Sequence, residues 1–337
     1  MALGIDIGTS SIKLVEIDNS GKTPSLIAAG AVPFAGIPIS ETSDKASLVE
    51  ISNLIKKLIS QTKVETTAVN ISIPESKAFT RAIKFPMLTD AEVAQAIKWE
   101  AEQYLPYPID EAVYQHKIIK KNERAVPPET TVLLVAVAEA LAEKYMELFS
   151  YLGMEVMFIE PEMSAIVRSV GKDPSGVFVN LGAATCDISI VSEGNIFLTR
   201  SIKNAGITLT RAISQGLGLD LVRAEEYKKA YGFEKTFLEG RVAKTLIPIL
   251  TLMVDEVKKA IQFYRDDFEG VTPTSVFMTG GTAMTRGIVP LVAELVNMEV
   301  SLVDPFVRLE DSEVKKTLSA YKAVYSVACG LALYEND

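Results

Sequence analysis

The chain has 337 residues, of which 48% are hydrophobic and 23% charged, so it is large enough for two folded domains with buried cores. Its net charge of -9 argues against a nucleic-acid partner, because phosphate backbones are held mainly by clustered Lys and Arg. Two cysteines and one histidine argue against a disulfide framework, a His-rich metal site and Ser-His-Asp catalysis.

Neither a signal peptide nor a membrane span is predicted. Asp6 lies where a signal peptide needs a basic segment followed by an unbroken apolar one. The longest apolar segment, 246–254, contains Pro248 and is far shorter than the ~20 residues of a membrane span. We therefore expect a cytoplasmic protein, for which any attachment to a membrane would have to come through a partner.

The N-terminal elements begin with a predicted meander of strands, followed by helices. Strands are expected at 3–7, 12–17 and 26–32, a helix at 44–59 and a further strand at 69–73. A capping box, in which Thr89 and Glu92 bond to each other's backbone, marks a helix that ends before Pro106. A polar stretch then leads to a strand at 131–138 and a helix at 139–152.

From residue 175 the pattern of the N-terminus recurs. Residues 5–11 align with residues 179–185 at one constant offset, which predicts an internal duplication. The second half continues with predicted strands at 177–181, 187–191 and 196–200, helices at 209–217, 220–231 and about 239–268, a strand at 275–278, a helix after Gly287 and a last helix at 321–334.

Two glycine turns carry the candidate chemistry. A strand that turns at a glycine directly into the next strand exposes backbone N–H groups that suit phosphate oxygens. The glycines allow close approach, and neighbouring hydroxyls add donors. The predicted phosphate contacts are Gly8, Thr9, Ser10, Ser11, Gly182, Ala183, Ala184 and Thr185, with the Lys13 ammonium on the β- or γ-phosphate.

Two carboxylates beside these turns are candidate magnesium ligands. Asp6 and Asp187 would bind Mg²⁺ directly or through its waters, because a carboxylate faces a triphosphate favourably only when a cation intervenes. The alternative is that each acid only stabilises its turn, and for a single turn the two interpretations are equally good. The recurrence of the turn in both halves favours phosphate binding.

Two further segments complete the predicted nucleotide site. A third glycine turn, Gly280-Gly281-Thr282-Ala283, follows a short apolar strand and suits a flat adenine or the α-phosphate. Glu225 and Lys228 share a helix face and could bind the ribose hydroxyls and the adenine edge; otherwise they form a surface ion pair. Gly206 is also expected at the nucleotide.

Taken together, these segments resemble the superfamily of actin, Hsp-type chaperones and sugar kinases. The segments 4–15, 99–106 and 330–333 look more closely like the PilM family of type IV pilus assembly proteins, and the likeness covers nearly the whole chain. The resemblance implies a duplicated actin-like (ribonuclease H-like) α/β fold of two lobes, with ATP and Mg²⁺ bound in the cleft between them.

The PilM family is similar to the FtsA division proteins, in which a small α+β subdomain is inserted in the first half. The implied domains are a first lobe at 1–85 and 154–172, an insertion at 86–153, and a second lobe at 173–337 with a helical part at about 206–268. FtsA proteins end in an amphipathic membrane helix, and the lack of such a tail before Asp337 favours the PilM family.

The resemblance also implies partners. PilM-like proteins act in pilus biogenesis and twitching motility and grip the cytoplasmic N-terminal peptide of PilN, a bitopic inner-membrane protein. Other inner-membrane pilus proteins and the assembly motor ATPase are further candidate partners. Trp99 projects away from the apolar stripe of its helix and is a candidate peptide contact between the first lobe and the insertion; alternatively it packs against the insertion's own sheet.

ATP hydrolysis is expected to be slow or absent. Actin-like ATPases usually have an acid at the start of the second phosphate turn, where this chain has Asn180, which cannot take a proton. Glu160 and Glu162, near the crossing between the halves, could partly substitute. Two alternatives remain: an FtsA-like filament-forming ATPase, and a small-molecule kinase, which needs a carboxylate base beside a polar pocket.

Overall fold

The computed structural model describes residues 1–42, 44–268 and 270–334. Its first half alternates strands and helices: β1 (Ala2–Ile7), β2 (Ser11–Asp18), β3 (Ser25–Pro33), α1 (Lys45–Thr62), β4 (Ala68–Ile73), β5 (Ala78–Pro86), α2 (Asp90–Tyr104), β6 (Ala112–Asn122), β7 (Glu129–Ala138), α3 (Glu139–Ser150), β8 (Glu155–Pro161) and α4 (Glu162–Val170). The second half begins with another strand meander: β9 (Gly176–Leu181), β10 (Cys186–Ser192), β11 (Asn195–Ile202), α5 (Gly206–Leu217), α6 (Leu221–Tyr231), α7 (Arg241–Phe268), β12 (Ser275–Thr279), α8 (Ile288–Val296), β13 (Glu299–Leu302), α9 (Glu313–Thr317) and α10 (Ser326–Ala332).

The two halves build the same sheet. The first sheet has the order β3-β2-β1-β4-β8, and the second contains β11-β10-β9-β12-β13 in the equivalent order. In both, an antiparallel meander of three strands continues into two parallel strands. The duplicated two-lobed α/β fold expected from the sequence is therefore confirmed.

A separate core lies in the segment between β5 and β7. These two strands and β6 form an antiparallel ribbon, which joins the second sheet through one pairing, Leu198 with Arg81. One face of α2 packs on the ribbon with the buried side chains Val93, Ile97 and Ala101. The Thr89 capping box begins α2 as the sequence predicts.

The boundaries of this insertion differ from the expected 86–153. Strand β5 pairs with β7 along its whole length, so the ribbon begins at Ala78. Helix α3 instead buries Tyr145, Leu148 and Phe149 in the core of the first lobe. The packing therefore assigns about 78–138 to the insertion, because α3 packs in the core of the first lobe and not on the ribbon.

Two helices, α4 and α10, pack against each other beside the first sheet. Their contact is so close that a Cβ at Gly330 would lie 1.8 Å from the Ala165 carbonyl oxygen. Helix α10 also lies close to β1, because a Cβ at Gly4 would clash with the Ala328 carbonyl oxygen. The predicted helix at 321–334 begins with a 3-10 turn, and only Ser326–Ala332 is α-helical. No helix in the described ranges is both long and apolar enough to cross a membrane.

Candidate functional site

The two glycine turns have the same backbone geometry. The Gly8 N–H donates to the Ser11 carbonyl at 3.1 Å, and the Gly182 N–H donates to the Thr185 carbonyl at 2.9 Å. A Cβ on either glycine would lie 3.2 Å from that same carbonyl oxygen, so each turn is tight. The equivalence that the sequence indicated is therefore also present in three dimensions.

A cavity of about 470 Å³ lies between these turns. Its wall includes Gly8 and Thr9 of the first turn and Ala184 and Thr185 of the second. Glu162, the first residue of α4, also lines it. The adenine and ribose candidates Glu225, Lys228 and Gly280 to Ala283 do not line this cavity. Of the predicted nucleotide contacts, the residues in its wall are ones expected at the phosphates.

In each lobe an acid lies beside the turn, on one of the two strands that the turn connects. In the first lobe Asp6 faces Lys13 across the hairpin, and their side chains form an ion pair of 2.8 Å. In the second lobe the equivalent pair is Asn180 and Asp187, with the acid on the opposite strand. Both carboxylates are buried.

The Asp187 carboxylate is held by hydroxyl groups. Thr185 donates to one of its oxygens at 3.1 Å, and Ser201 donates to the other. Burial raises the pKa of Asp187 to about 6, although the two hydroxyl donors oppose the shift. Lys13, which the sequence placed on a phosphate, has its ammonium on Asp6 in this structure.

These acids fit a magnesium ion that is shared with a nucleotide. In the part of the chain that the structure describes, there is no group of three or more His, Cys, Asp or Glu side chains placed to hold a metal. Mg²⁺ is commonly bound by one or two carboxylates, with water and substrate phosphates completing its shell. Asp6 and Asp187 would supply those carboxylates, and the ion would screen the phosphate charge from them.

Of the two candidate acids at the crossing, only Glu162 lines the cavity. The Asn180 side-chain amide donates to Glu162 at 3.0 Å. Burial, and then the charges of Asp6 and Asp187, raise the pKa of Glu162 well above its ordinary value.

Glu160 lies outside the cavity. Both of its oxygens accept hydrogen bonds from the Arg168 guanidinium, which also donates to the Gly330 carbonyl at 2.9 Å. Burial raises the pKa of Glu160, and Arg168 opposes that shift. The structure therefore does not bring Glu160 to the cleft, because Arg168 holds it on the side of α10.

The sequence analysis missed Glu75, which is another buried acid. One of its oxygens accepts the Met163 N–H at 3.1 Å and so caps the first turn of α4. Its other oxygen, Oε1, has no hydrogen-bond partner among the described residues. Burial, followed by the charge of Asp187, raises the pKa of Glu75 to about 8. Its signal in the sequence is an acid directly after the strand-ending Pro74.

The predicted adenine and ribose residues of the second lobe come together. The Lys228 side chain is part of a residue only 6% exposed, and its ammonium lies 2.6 Å from Glu225. The same ammonium donates to the Gly206 carbonyl at 3.0 Å. This burial removes the alternative of a surface ion pair.

The second turn connects these residues to the third glycine turn. The Gly182 carbonyl accepts two hydrogen bonds, one from the Gly206 N–H at 3.2 Å and one from the Thr282 hydroxyl at 2.7 Å. The start of α5 and the turn at Gly280, Gly281, Thr282 and Ala283 therefore both contact the second phosphate turn. Whether a nucleotide touches each of these residues stays a prediction.

Trp99 is 75% exposed on the outer face of α2. It does not pack against the insertion's own sheet, which was the alternative to a partner contact. A second cavity of about 420 Å³ lies near the end of the same helix and is lined by Glu102 and by 105–110.

Comparison with known proteins gives a consistent relationship. The family model "Type IV pilus assembly protein PilM" matches residues 4–336. A solved PilM-PilN type IV pilus biogenesis complex is similar with a TM-score of 0.81 and 24% identity, covering 98% of this chain and 97% of the other. The cell division protein FtsA of Pseudomonas aeruginosa is 23% identical, over 99% of this chain and 89% of its own length.

A similar fold is also found in a solved structure that contains a nucleotide analogue. MreB5 of Spiroplasma citri, solved with bound AMPPNP, has a TM-score of 0.56 at 15% identity, covering 99% of this chain and 95% of that one. At such identities the likeness establishes the actin-like fold. The roles of individual residues rest on the geometry described above.

Proposed function

This chain belongs to the PilM family of type IV pilus assembly proteins, and we propose that it is an ATP-binding scaffold of pilus biogenesis. ATP with Mg²⁺ would lie between the lobes and would hold them in a defined relative position. The scaffold would bind the cytoplasmic N-terminal peptide of a PilN-like inner-membrane protein. In this proposal the protein is cytoplasmic and is recruited to the inner membrane by that partner.

One observation carries the nucleotide proposal: two equivalent glycine turns face the same cavity of about 470 Å³ from opposite lobes. Backbone N–H groups in such turns bind phosphate oxygens, and two turns can hold a polyphosphate from both sides. The AMPPNP-bound MreB5 supports the same ligand class for the fold. The test is isothermal titration of ATP with and without Mg²⁺. A chain that binds no ATP in either condition would refute the proposal.

Slow or absent hydrolysis follows from Asn180. Its side chain cannot accept a proton from an attacking water, and its amide is engaged by Glu162 at 3.0 Å. Steady-state phosphate release measures the rate directly. Turnover as fast as that of a working motor ATPase would show that another group activates the water.

The partner proposal rests on family membership and on the exposed Trp99. The solved relative is a complex of PilM with PilN, and a large exposed aromatic side chain is a common anchor of protein interfaces. We place the peptide between the first lobe and the insertion, with Trp99 at its edge. Other pilus inner-membrane proteins and the assembly motor ATPase would join through the same complex.

Calorimetric titration with the cytoplasmic N-terminal peptide of the cognate PilN tests this placement. Trp99→Ala is expected to weaken binding at least about tenfold, as for an interface anchor. Tyr321→Ala is the matched control, because Tyr321 is also an exposed aromatic residue, at 64%, but lies far along the chain near α10. Unchanged affinity in Trp99→Ala would remove this residue from the interface.

A further inference from the structure

Three cations in the wall of the phosphate cavity were not among the sequence-predicted contacts. Lys77 follows β4 of the first lobe, whereas Lys203 follows β11 and Arg211 lies on α5 of the second lobe. All three side chains belong to exposed residues. Among the described residues, none of the three has an ion-pair partner.

The positive charge of Lys13, by contrast, is already balanced. Its ammonium lies 2.8 Å from the Asp6 carboxylate, and its side chain is only 13% exposed. Asp187 and Glu162 add further acidic groups close enough to interact with one another and with Asp6. The excess positive charge that a polyphosphate needs is therefore found in the three exposed cations and not at Lys13.

The position of α5 brings Arg211 close to the second turn, and Lys203 lies in the link between β11 and this helix. The helix begins against this turn, because the Ile207 N–H donates to the Ala183 carbonyl at 2.8 Å. Arg211 follows Ile207 by one helical turn and shares its face, and both residues line the cavity with Thr208. Since the adenine candidates lie outside this cavity, the cations mark the end of the site away from the adenine.

We propose that Lys203 and Arg211, with Lys77 across the cleft, bind the terminal phosphate of ATP and so distinguish ATP from ADP. This inference rests on the proposed nucleotide site between the two turns. An Arg guanidinium and a Lys ammonium both bind phosphate oxygens strongly through charge-assisted hydrogen bonds. Because these cations come from both lobes, only a nucleotide with a third phosphate would connect the lobes through them.

The test compares the dissociation constants of ATP and ADP, each with Mg²⁺, in the full chain. Removing one charge-assisted contact is expected to cost about tenfold or more in affinity. Lys203→Met with Arg211→Met should therefore weaken ATP binding by about 100-fold and change ADP binding less than about threefold. Lys77→Met should weaken the binding of ATP, but not that of ADP, by about tenfold.

Two controls separate this effect from general charge loss. Lys258→Met removes an exposed charge on α7 outside the cavity wall and should change neither constant. Lys203→Arg with Arg211→Lys keeps both charges and should retain most of the preference for ATP. Retained ADP binding also reports that each variant is folded.

An equal loss of ATP and ADP affinity would overturn the inference, because it would assign the cations to both ligands alike. Unchanged ATP affinity in the double variant would overturn it as well. A wild-type chain that binds neither nucleotide would instead refute the proposed function, so the two failures are distinguishable.

Discussion

The carboxyl group of Glu75 predicts how the stability of the protein varies with pH. Burial and the nearby Asp187 raise its pKa to about 8 from an ordinary value of 4.5. At neutral pH the native carboxyl is therefore protonated, whereas the unfolded chain has lost that proton. Native protein binds more protons than unfolded protein between these two values, so the free energy of unfolding falls as pH rises from 4.5 to about 8.

The magnitude follows from the free energy of one pKa unit, ~1.4 kcal/mol. At pH 7, about 2.5 pH units above 4.5, the ionisation of Glu75 in the unfolded state costs at most about 3 kcal/mol of stability. A glutamine has the shape of the protonated acid, keeps an acceptor for the Met163 N–H and does not titrate. Glu75→Gln should thus stabilise the protein by about 1–3 kcal/mol at pH 7 and by close to zero at pH 4.5.

Urea unfolding at several pH values between 5 and 8, without nucleotide and with EDTA, measures this difference. The pKa shifts of other groups affect the wild type and Glu75→Gln alike, so they largely cancel in the difference between the two free energies of unfolding. Glu65→Gln is the matched control, because Glu65 is exposed and should show no effect at any pH. A stabilisation that is the same at pH 5 and pH 8, or a loss of stability at pH 7, would mean that native Glu75 is ionised.

Three further predictions test other parts of the structure. Arg168→Met leaves Glu160 buried without its partner and should lower the free energy of unfolding by about 2–3 kcal/mol, with part recovered when Glu160→Gln is added; urea unfolding measures both. Gly330→Ala would place its Cβ 1.8 Å from the Ala165 oxygen and should cost about 3 kcal/mol or more by the same assay. Asp187→Asn should weaken ATP binding by about tenfold when Mg²⁺ is present, as measured by calorimetry. Without Mg²⁺ the variant and the wild type should bind ATP with similar affinity.

Three further substitutions serve as controls for these predictions. Lys172→Met removes an exposed cation just after α4 and should leave stability unchanged. Gly21→Ala adds the same methyl group at an exposed turn, and a cost there similar to that of Gly330→Ala would contradict the packing argument. Glu160→Gln alone should leave ATP affinity unchanged. A loss of ATP hydrolysis with unchanged ATP affinity would instead indicate that Glu160 acts in the cleft.

Features that depend on neighbouring residues could be predicted from the sequence. The Thr89 capping box and the two glycine turns are formed by bonds that span only a few residues, so their spacing fixes their geometry. The duplication was visible for the same reason, because each half repeats one local pattern. That repeat implies that the two sheets are alike, whereas the order of their strands is known only from the structure.

Features that depend on distant partners could not be predicted. Glu160 and Glu162 are two residues apart, and what separates their positions is Arg168 on one side and Asn180 on the other. The apolar stripe of α3 shows that the helix has a buried face, but the stripe carries no information on which core receives it. The positions of Arg211 and Lys203 in the cavity wall likewise depend on the packing of α5 against the second turn, which the sequence does not show.

The exchanged acids of the two hairpins have a consequence for how a ligand can be oriented. A cleft built from two copies of one motif would, if the copies were identical, accept an elongated anion equally well in either direction. Here the acid stands on β1 in one copy, with a lysine opposite, and on β10 in the other, with an amide opposite. The acid of the first wall is thus paired with a cation of its own hairpin, whereas Asp187 on the second wall accepts hydrogen bonds only from the hydroxyl groups of Thr185 and Ser201. Because the two walls differ in this way, an elongated anion would bind in one direction in preference to the other.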